Sequence, residues 1–104
     1  MTIIADTRLD TAETILAQLG GREFTAMTGA THIVVLNSGV QFSFKGSAVA
    51  NKCRIVLHLD DTYRIEFFKI RGADCDQIGR TRDFVYADML QAIFTSVTGL
   101  DCTL

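Results

Sequence analysis

The segment that most constrains the fold is the pair of alternating apolar runs in residues 53–71. Every second residue on each side of a polar turn is apolar, namely Cys53, Ile55, Leu57 and Leu59, then Tyr63, Ile65 and Phe67. A period of two residues predicts β-strands with one buried face. If residues 60–62 form the loop, Leu59 faces Tyr63; a five-residue loop in the same register is the alternative. The segment therefore predicts an antiparallel hairpin.

An amphipathic helix is predicted at each end of the chain. The first begins after Asp10 as the N-cap and ends at Gly20-Gly21, because glycine readily adopts the left-handed conformation that ends helices. The second begins after Asp83 as the N-cap and ends at Gly99. Its apolar stripe consists of Tyr86, Met89, Leu90, Ile93, Phe94 and Val97. Each helix therefore has one apolar side to bury.

Short runs rich in β-branched and aromatic residues predict further strands at residues 24–28, 33–36 and 40–44. Residues 72–82 are polar and show no period, so we interpret them as a loop. Short connections favour an antiparallel meander. Residues 1–104 are therefore predicted to form a single α+β domain. In it, an antiparallel four- to five-stranded meander sheet is flanked by an N-terminal and a C-terminal helix packed on one face.

The composition is typical of a small globular domain, since 48% of 104 residues are hydrophobic and can form one core. No apolar run approaches the roughly 18 residues of a membrane helix, and residues 1–6 lack the features of a secretory signal. Three widely spaced cysteines fit free thiols, with Cys53 in the core and Cys75 and Cys102 at the surface. We therefore expect a cytoplasmic protein that does not bind a membrane.

No group of residues in the sequence matches a catalytic or metal-binding motif. His58 lies near Asp60 and Asp61 and could act as a general base, but no nucleophile accompanies it. The cysteines lie too far apart in the sequence for a typical zinc site, and the glycines do not form a phosphate-binding loop. We therefore expect no enzymatic activity, no cofactor and no metal.

Positive charge is concentrated in residues 45–82, which carry eight basic and five acidic side chains in a chain of net charge −2. Arg54, Arg64 and Phe68 lie on the hairpin face opposite the predicted core. A basic sheet face with aromatic residues is one way in which proteins bind single-stranded nucleic acid. Glu66 interrupts that face, so nucleic-acid binding by the 53–71 hairpin is our alternative hypothesis.

The same face retains apolar area at Val56 and Ile70, and apolar residues surrounded by arginine are typical of protein interfaces. Cover by a helix, or by Ile3 and Ile4, is the alternative explanation. We predict a non-enzymatic protein-interaction module whose partner is a host or phage protein or a second copy of the chain. The predicted contact residues are Arg54, Arg64 and Phe68 on the sheet and Arg80 and Arg82 in the 72–82 loop.

Several short segments between Ile15 and Leu100 carry a family resemblance. They are Ile15-Leu16-Ala17-Gln18-Leu19-Gly20-Gly21, Phe24, Ala26-Met27-Thr28-Gly29-Ala30, Phe42-Ser43-Phe44, Asp61-Thr62-Tyr63, Glu66-Phe67, Arg71-Gly72, and Tyr86-Ala87-Asp88 through Thr98-Gly99-Leu100. In order and spacing they resemble a group of short bacteriophage, prophage and other mobile-element proteins. The group has no assigned activity, so the resemblance implies no catalytic residues.

The resemblance implies a context for the chain. Small acidic phage proteins often act by occupying a surface of a host protein, including components of antiviral defence. The resemblance therefore implies a phage or mobile-element accessory protein that binds a host protein in the cytoplasm of a bacterial host, with inhibition of a defence protein as one form of this role. The extended 72–82 segment departs from the group's pattern and is where this chain is expected to be specialised.

Overall fold

The computed structural model describes residues 7–103, so Ile3 and Ile4 lie outside the described residues. Within them the chain forms three α-helices and five strands. In chain order these are α1 (Thr7–Leu19), α2 (Arg22–Thr28), β1 (Thr31–Val35), β2 (Gly39–Ser43), β3 (Lys52–Leu57), β4 (Tyr63–Arg71), β5 (Asp74–Val85), a 3-10 turn (Ala87–Met89) and α3 (Leu90–Thr98).

The five strands form one antiparallel meander in the order β1-β2-β3-β4-β5. The helices pack on one face of this sheet, which confirms the predicted α+β architecture. The helix face is lined by alternating residues, as the period of two predicted: Val40 and Phe42 in β2, Cys53 and Ile55 in β3, and Ile65 and Phe67 in β4.

A cluster of phenylalanine rings joins the helices to the sheet. The Phe94 ring centroid lies 5.1 Å from that of Phe24 in α2 and 5.1 Å from that of Phe44, just after β2. It also lies 6.3 Å from the ring centroid of Phe42 and 6.0 Å from that of Phe67. These separations fall within the preferred range for aromatic pairs. Phe94 therefore connects α3 to both the sheet and α2.

The β3–β4 hairpin has a five-residue loop, residues 58–62, which is the length of the alternative loop, but its register differs from the predicted one. The pairs are Leu57 with Tyr63, Ile55 with Ile65 and Cys53 with Phe67. This register is shifted by two residues, which preserves the buried face of each strand. The prediction for Leu59 was wrong, because the side chain lies in the loop with 107% relative exposure. Asp60 shapes the loop by accepting hydrogen bonds from the Thr62 N–H (3.1 Å) and hydroxyl (2.7 Å).

Residues 24–28 form part of helix α2, so the predicted strand there was wrong. Phe24 and Thr28 are buried at helical spacing, and the Thr28 hydroxyl donates to the Phe24 carbonyl at 2.7 Å. The helix ends at Gly29, which has φ 66°. A short apolar run is ambiguous between helix and strand, and here the helical alternative packs Phe24 against the other rings.

The predicted loop at residues 72–82 was also wrong, because most of it belongs to β5. The β4–β5 turn is Gly72-Ala73, with Gly72 at φ 58°, the type of position at which tight hairpin turns favour glycine. Two register irregularities between β4 and β5 interrupt the side-chain alternation. An irregular, mostly exposed edge strand has no clear period in the sequence.

Both predicted helices start at different residues from those expected. Helix α1 begins at Thr7, before the predicted N-cap Asp10, and ends before Gly20-Gly21 as predicted. Helix α3 begins at Leu90, because β5 continues through the predicted N-cap Asp83. Tyr86 and Met89, predicted on the buried stripe of that helix, are consequently exposed, whereas Leu90 and Phe94 are buried as predicted.

Candidate interaction surface

The sheet face opposite the helices, here called the open face, carries the central part of the predicted site. The ring clusters of α2 and α3 lie on the other face, where Phe24 and Phe94 both contact Phe42. None of the helices described in residues 7–103 packs its buried side chains against the open face. Its side chains on β2, β3 and β4 are Gln41, Ser43, Lys52, Arg54, Val56, Arg64, Glu66, Phe68 and Ile70.

Arg54 and Phe68 form a cation–π pair at the centre of the open face. The guanidinium carbon of Arg54 lies 5.0 Å from the centroid of the Phe68 ring. The Nε atom of Arg54 is buried and has no hydrogen-bond partner among the described residues. A buried donor without a partner costs about 1–3 kcal/mol.

Arg64, Asp83 and His58 form a second cluster at the end of the open face. The Oδ1 atom of Asp83 lies 2.7 Å from Arg64 Nε and 3.2 Å from His58 Nε2. Hydrogen bonds from Arg64 and then His58 lower the pKa of the Asp83 carboxyl below its usual value. The side chain of Asp83 thereby connects β5, β4 and the β3–β4 loop.

The Asp83→Asn variant should lose stability only where the carboxylate is charged. Because the folded-state pKa of Asp83 lies below the ordinary value of 3.8, the unfolded chain takes up the proton first as the pH falls. The stabilisation is complete above 3.8 and is lost as the pH falls through the lowered folded-state pKa. Urea unfolding should therefore give wild type a higher free energy of unfolding than Asp83→Asn at neutral pH. The two free energies should converge as the pH is lowered into the acid range. Asp101→Asn, which removes a charge at another exposed site, should show no such convergence; an equal effect would contradict the assigned role of Asp83.

Glu66, Thr81 and Gln77 form a third polar group, which links β4 to β5. The Oε2 atom of Glu66 accepts a hydrogen bond from the Thr81 hydroxyl at 2.9 Å, and Gln77 Nε2 donates to the Thr81 hydroxyl oxygen at 3.0 Å. The register of the sheet pairs Glu66 directly with Arg54 on β3. The carboxylate therefore occupies the middle of the face that the nucleic-acid hypothesis requires to be positive.

Arg80 and Arg82 are separated from the other predicted contact residues. Arg82 pairs with Ile65, whose side chain faces the helices, and directly paired residues share a face of the sheet. Arg80 lies in the irregular stretch between Ile78 and Arg82 and is exposed. The open face thus brings together Arg54, Arg64 and Phe68 but does not include Arg82.

Carboxylates oppose much of the positive charge of residues 45–82. Four basic residues of the hairpin each face or contact an acidic one: Arg54 with Glu66, Arg64 with Asp83, Lys69 with Asp76, and Arg71 with Asp74. Opposite charges on paired positions reduce the potential that a phosphate backbone would experience. The arrangement therefore weakens the electrostatic attraction that nucleic-acid binding requires.

An exposed apolar end, defined by Leu59, Phe84, Tyr86 and Met89, adjoins the Asp83 cluster in the chain. Asp83 and Phe84 together oppose the single residue Arg64, which makes this stretch a β-bulge. Phe84 has φ 58° and is 69% exposed. A bulky residue with positive φ is strained by about 1–3 kcal/mol, and such strain concentrates at functional sites.

Sequence reasoning missed this end of the sheet. Leu59, Tyr86 and Met89 were expected in the core, and Phe84 was not assigned a role. The sequence carries no alternation there, because Phe84, Val85 and Tyr86 are all apolar. Only the structure shows that Val85 alone of the three is buried.

A recess lies between α1 and α2 and has a volume of about 570 Å3. Among the residues that line it, no nucleophile is paired with a base. The lining residues are Glu13, Leu16, Ala17, Gly21, Arg22, Thr25 and Ala26.

Two of the cysteines, Cys53 and Cys102, are buried, and burial raises the pKa of each thiol. The prediction of an exposed Cys102 was therefore wrong. Within residues 7–103, no acidic, His and Cys side chains group as metal ligands, and no helix has the length and apolarity to span a membrane.

Comparison of the chain with protein-family models, with curated proteins and with solved structures returned no match.

Proposed function

We propose that this chain is a non-enzymatic protein-interaction module, whose contact surface comprises the open face and the adjoining exposed apolar end. The observation that carries the proposal is Phe84, a strained aromatic residue whose ring remains exposed. In a strand that had only to fold, a bulky residue at positive φ would be replaced by glycine or asparagine at lower cost. Partner binding gives a reason to retain the ring.

The side chains around Phe84 have the composition of an interface. Aromatic residues and arginine contribute most often to the affinity of protein complexes, and here Tyr86 and Arg64 accompany Phe84. The Asp83 cluster fixes Arg64, so less side-chain entropy is lost on binding. The open face adds the Phe68 ring, with the guanidinium carbon of Arg54 5.0 Å from its centroid. The surface thus combines apolar rings with guanidinium groups.

The partner that we propose is a protein of a bacterial host, in the cytoplasm, and inhibition of a defence protein is one form of this role. The support is the resemblance to phage and mobile-element proteins described above. Nucleic-acid binding remains the second candidate, supported by the Arg54–Phe68 pair, on which a base could stack. That alternative predicts binding to single-stranded oligonucleotides that weakens steeply with salt.

Photo-cross-linking tests the proposed surface directly. A benzophenone side chain replaces Phe84 in one variant and Val49, an exposed residue in the β2–β3 loop, in a matched control. In bacterial lysate, we expect one protein to be cross-linked from position 84 and not from position 49. The same products from both positions, or cross-links to nucleic acid from position 84, would contradict the protein-binding proposal.

A further inference from the structure

The two edge strands of the sheet differ in how they are protected against pairing with another strand. Strand β5 contains two register irregularities, a glycine at φ 71°, and several charged residues, namely Asp74, Asp76, Arg80, Arg82 and Asp83. Charges and bulges of this kind are what proteins use to prevent edge-to-edge association. The β5 edge is therefore protected against pairing.

Strand β1 has much weaker protection. Its sequence, Thr31-His32-Ile33-Val34-Val35, contains no Asp, Glu, Lys, Arg or Pro, and every residue in it is exposed. Its one protective feature is the irregularity near His32, which has φ 51°. Within residues 7–103, no strand pairs with the outer edge of β1, and three consecutive exposed β-branched residues on such an edge favour addition of another strand. The contrast with β5 indicates that β1 has a partner.

The hydrogen bonds between β1 and β2 define which backbone groups remain available. The Leu36 N–H donates to the Gly39 carbonyl at 2.9 Å, and Val35 and Val34 pair with Val40 and Gln41. Hydrogen-bonded and non-hydrogen-bonded pairs alternate along an antiparallel ladder, so the N–H and C=O of Val35 point to the open edge. Two residues earlier, Ile33 lies within the register irregularity between Thr31 and Val34.

We propose that the β1 edge binds β1 of a second copy of this chain, in antiparallel orientation, to give a continuous ten-stranded sheet. In this register Val34 faces Val34 of the other copy across the two-fold axis. Val35 of each copy then lies opposite Ile33 of the other, so the N–H and C=O of Val35 that the β1–β2 ladder leaves available face the new partner strand. The cross-strand pairs are then all β-branched.

Charge and symmetry favour a second copy over other occupants. Because β1 carries no charged side chain, self-pairing brings no like charges opposite each other. A two-fold interface is self-complementary, so one unprotected edge suffices for both partners and none remains exposed. The contact lies at the opposite edge of the sheet from β5, which leaves Phe84 and the Asp83 cluster accessible.

Sedimentation equilibrium of the full chain tests this dimer. Wild type should approach twice the chain mass of 11.5 kDa as concentration rises. Val34→Lys places two ammonium groups opposite each other and should raise the dimer dissociation constant at least about tenfold. Val49→Lys is the matched control, since Val49 is 43% exposed and Val34 is 46% exposed. A wild-type monomer at all concentrations, or equal effects of the two lysines, would overturn the proposal.

Disulfide cross-linking tests the register. In a Cys75→Ser background, which removes the exposed native thiol, Val34→Cys should form an intermolecular disulfide under mild oxidation and Val49→Cys should not. Facing residues in a non-hydrogen-bonded pair have Cα atoms about 4.5 Å apart, within the range of disulfides. Deletion of residues 2–6 distinguishes another occupant: a dimer that forms only after this deletion would show that the N-terminal segment covers β1, and would overturn the proposal.

Discussion

Phe94→Ala is expected to lower the free energy of unfolding by about 3–5 kcal/mol, the range for truncating a fully buried phenylalanine. Phe94 is fully buried in α3, and its ring contacts rings from α2, from β4 and from β2 and the residue after it. A cavity at this position would remove the edge-to-face contacts with Phe24 and Phe44 together. Because small domains have only about 5–15 kcal/mol of stability, the variant should be close to unfolding.

Urea unfolding monitored by circular dichroism measures the effect of Phe94→Ala. Phe68→Ala is the control, because it deletes the same atoms from a half-buried ring on the open face. The control should lose less than half as much stability. Equal losses from the two variants would show that the ring cluster around Phe94 does not hold the helices on the sheet.

Gly39→Ala is expected to cost about 3 kcal/mol or more, at or above the upper end of the range for overpacking. A Cβ atom at Gly39 would overlap the carbonyl oxygen of Ile55 and lie 2.8 Å from the Cα of Val56. Both clashing atoms belong to the backbone of β3. The clash can therefore be removed only if β2 and β3 separate at the Gly39–Val56 end of their ladder. The strain therefore affects the centre of the sheet.

Gly79→Ala separates this clash from the general cost of replacing glycine. Gly79 has φ 71°, but a Cβ there would meet no atom within 4 Å. Its substitution should cost about 1–2 kcal/mol, the usual penalty for a side chain in the left-handed region. If thermal unfolding shows that Gly39→Ala loses less stability than Gly79→Ala, the close approach of β2 and β3 at Gly39 is incorrect.

The regular parts of the fold could be predicted from the sequence because local pattern and tertiary packing agree there. Alternation identified the buried faces of β2, β3 and β4, and Gly20-Gly21 and Gly99 identified the ends of α1 and α3. Helix α2 could not be identified, because its seven residues are too few to show a helical period. Its conformation depends on the pocket that receives Phe24.

The irregular parts required the structure. Alternation placed Arg54, Arg64 and Phe68 on one face, as observed, because β3 and β4 are continuous. Strand β5 lies at the edge and is interrupted by bulges, so its residues follow no single period. At the bulge of Asp83 and Phe84, Asp83 accepts hydrogen bonds from Arg64 and His58, which are distant in sequence, so no local pattern specifies these contacts.

The most direct test of the proposed interaction surface is the Phe84→Gly variant, with stability and partner binding measured on the same protein. Glycine adopts φ 58° without strain, so the free energy of unfolding should stay the same or rise by up to about 2 kcal/mol. Binding to the protein cross-linked at position 84 should weaken at least about tenfold, as for an interface hot spot. A loss of stability with unchanged binding would contradict the proposal, because Phe84 would then serve the fold.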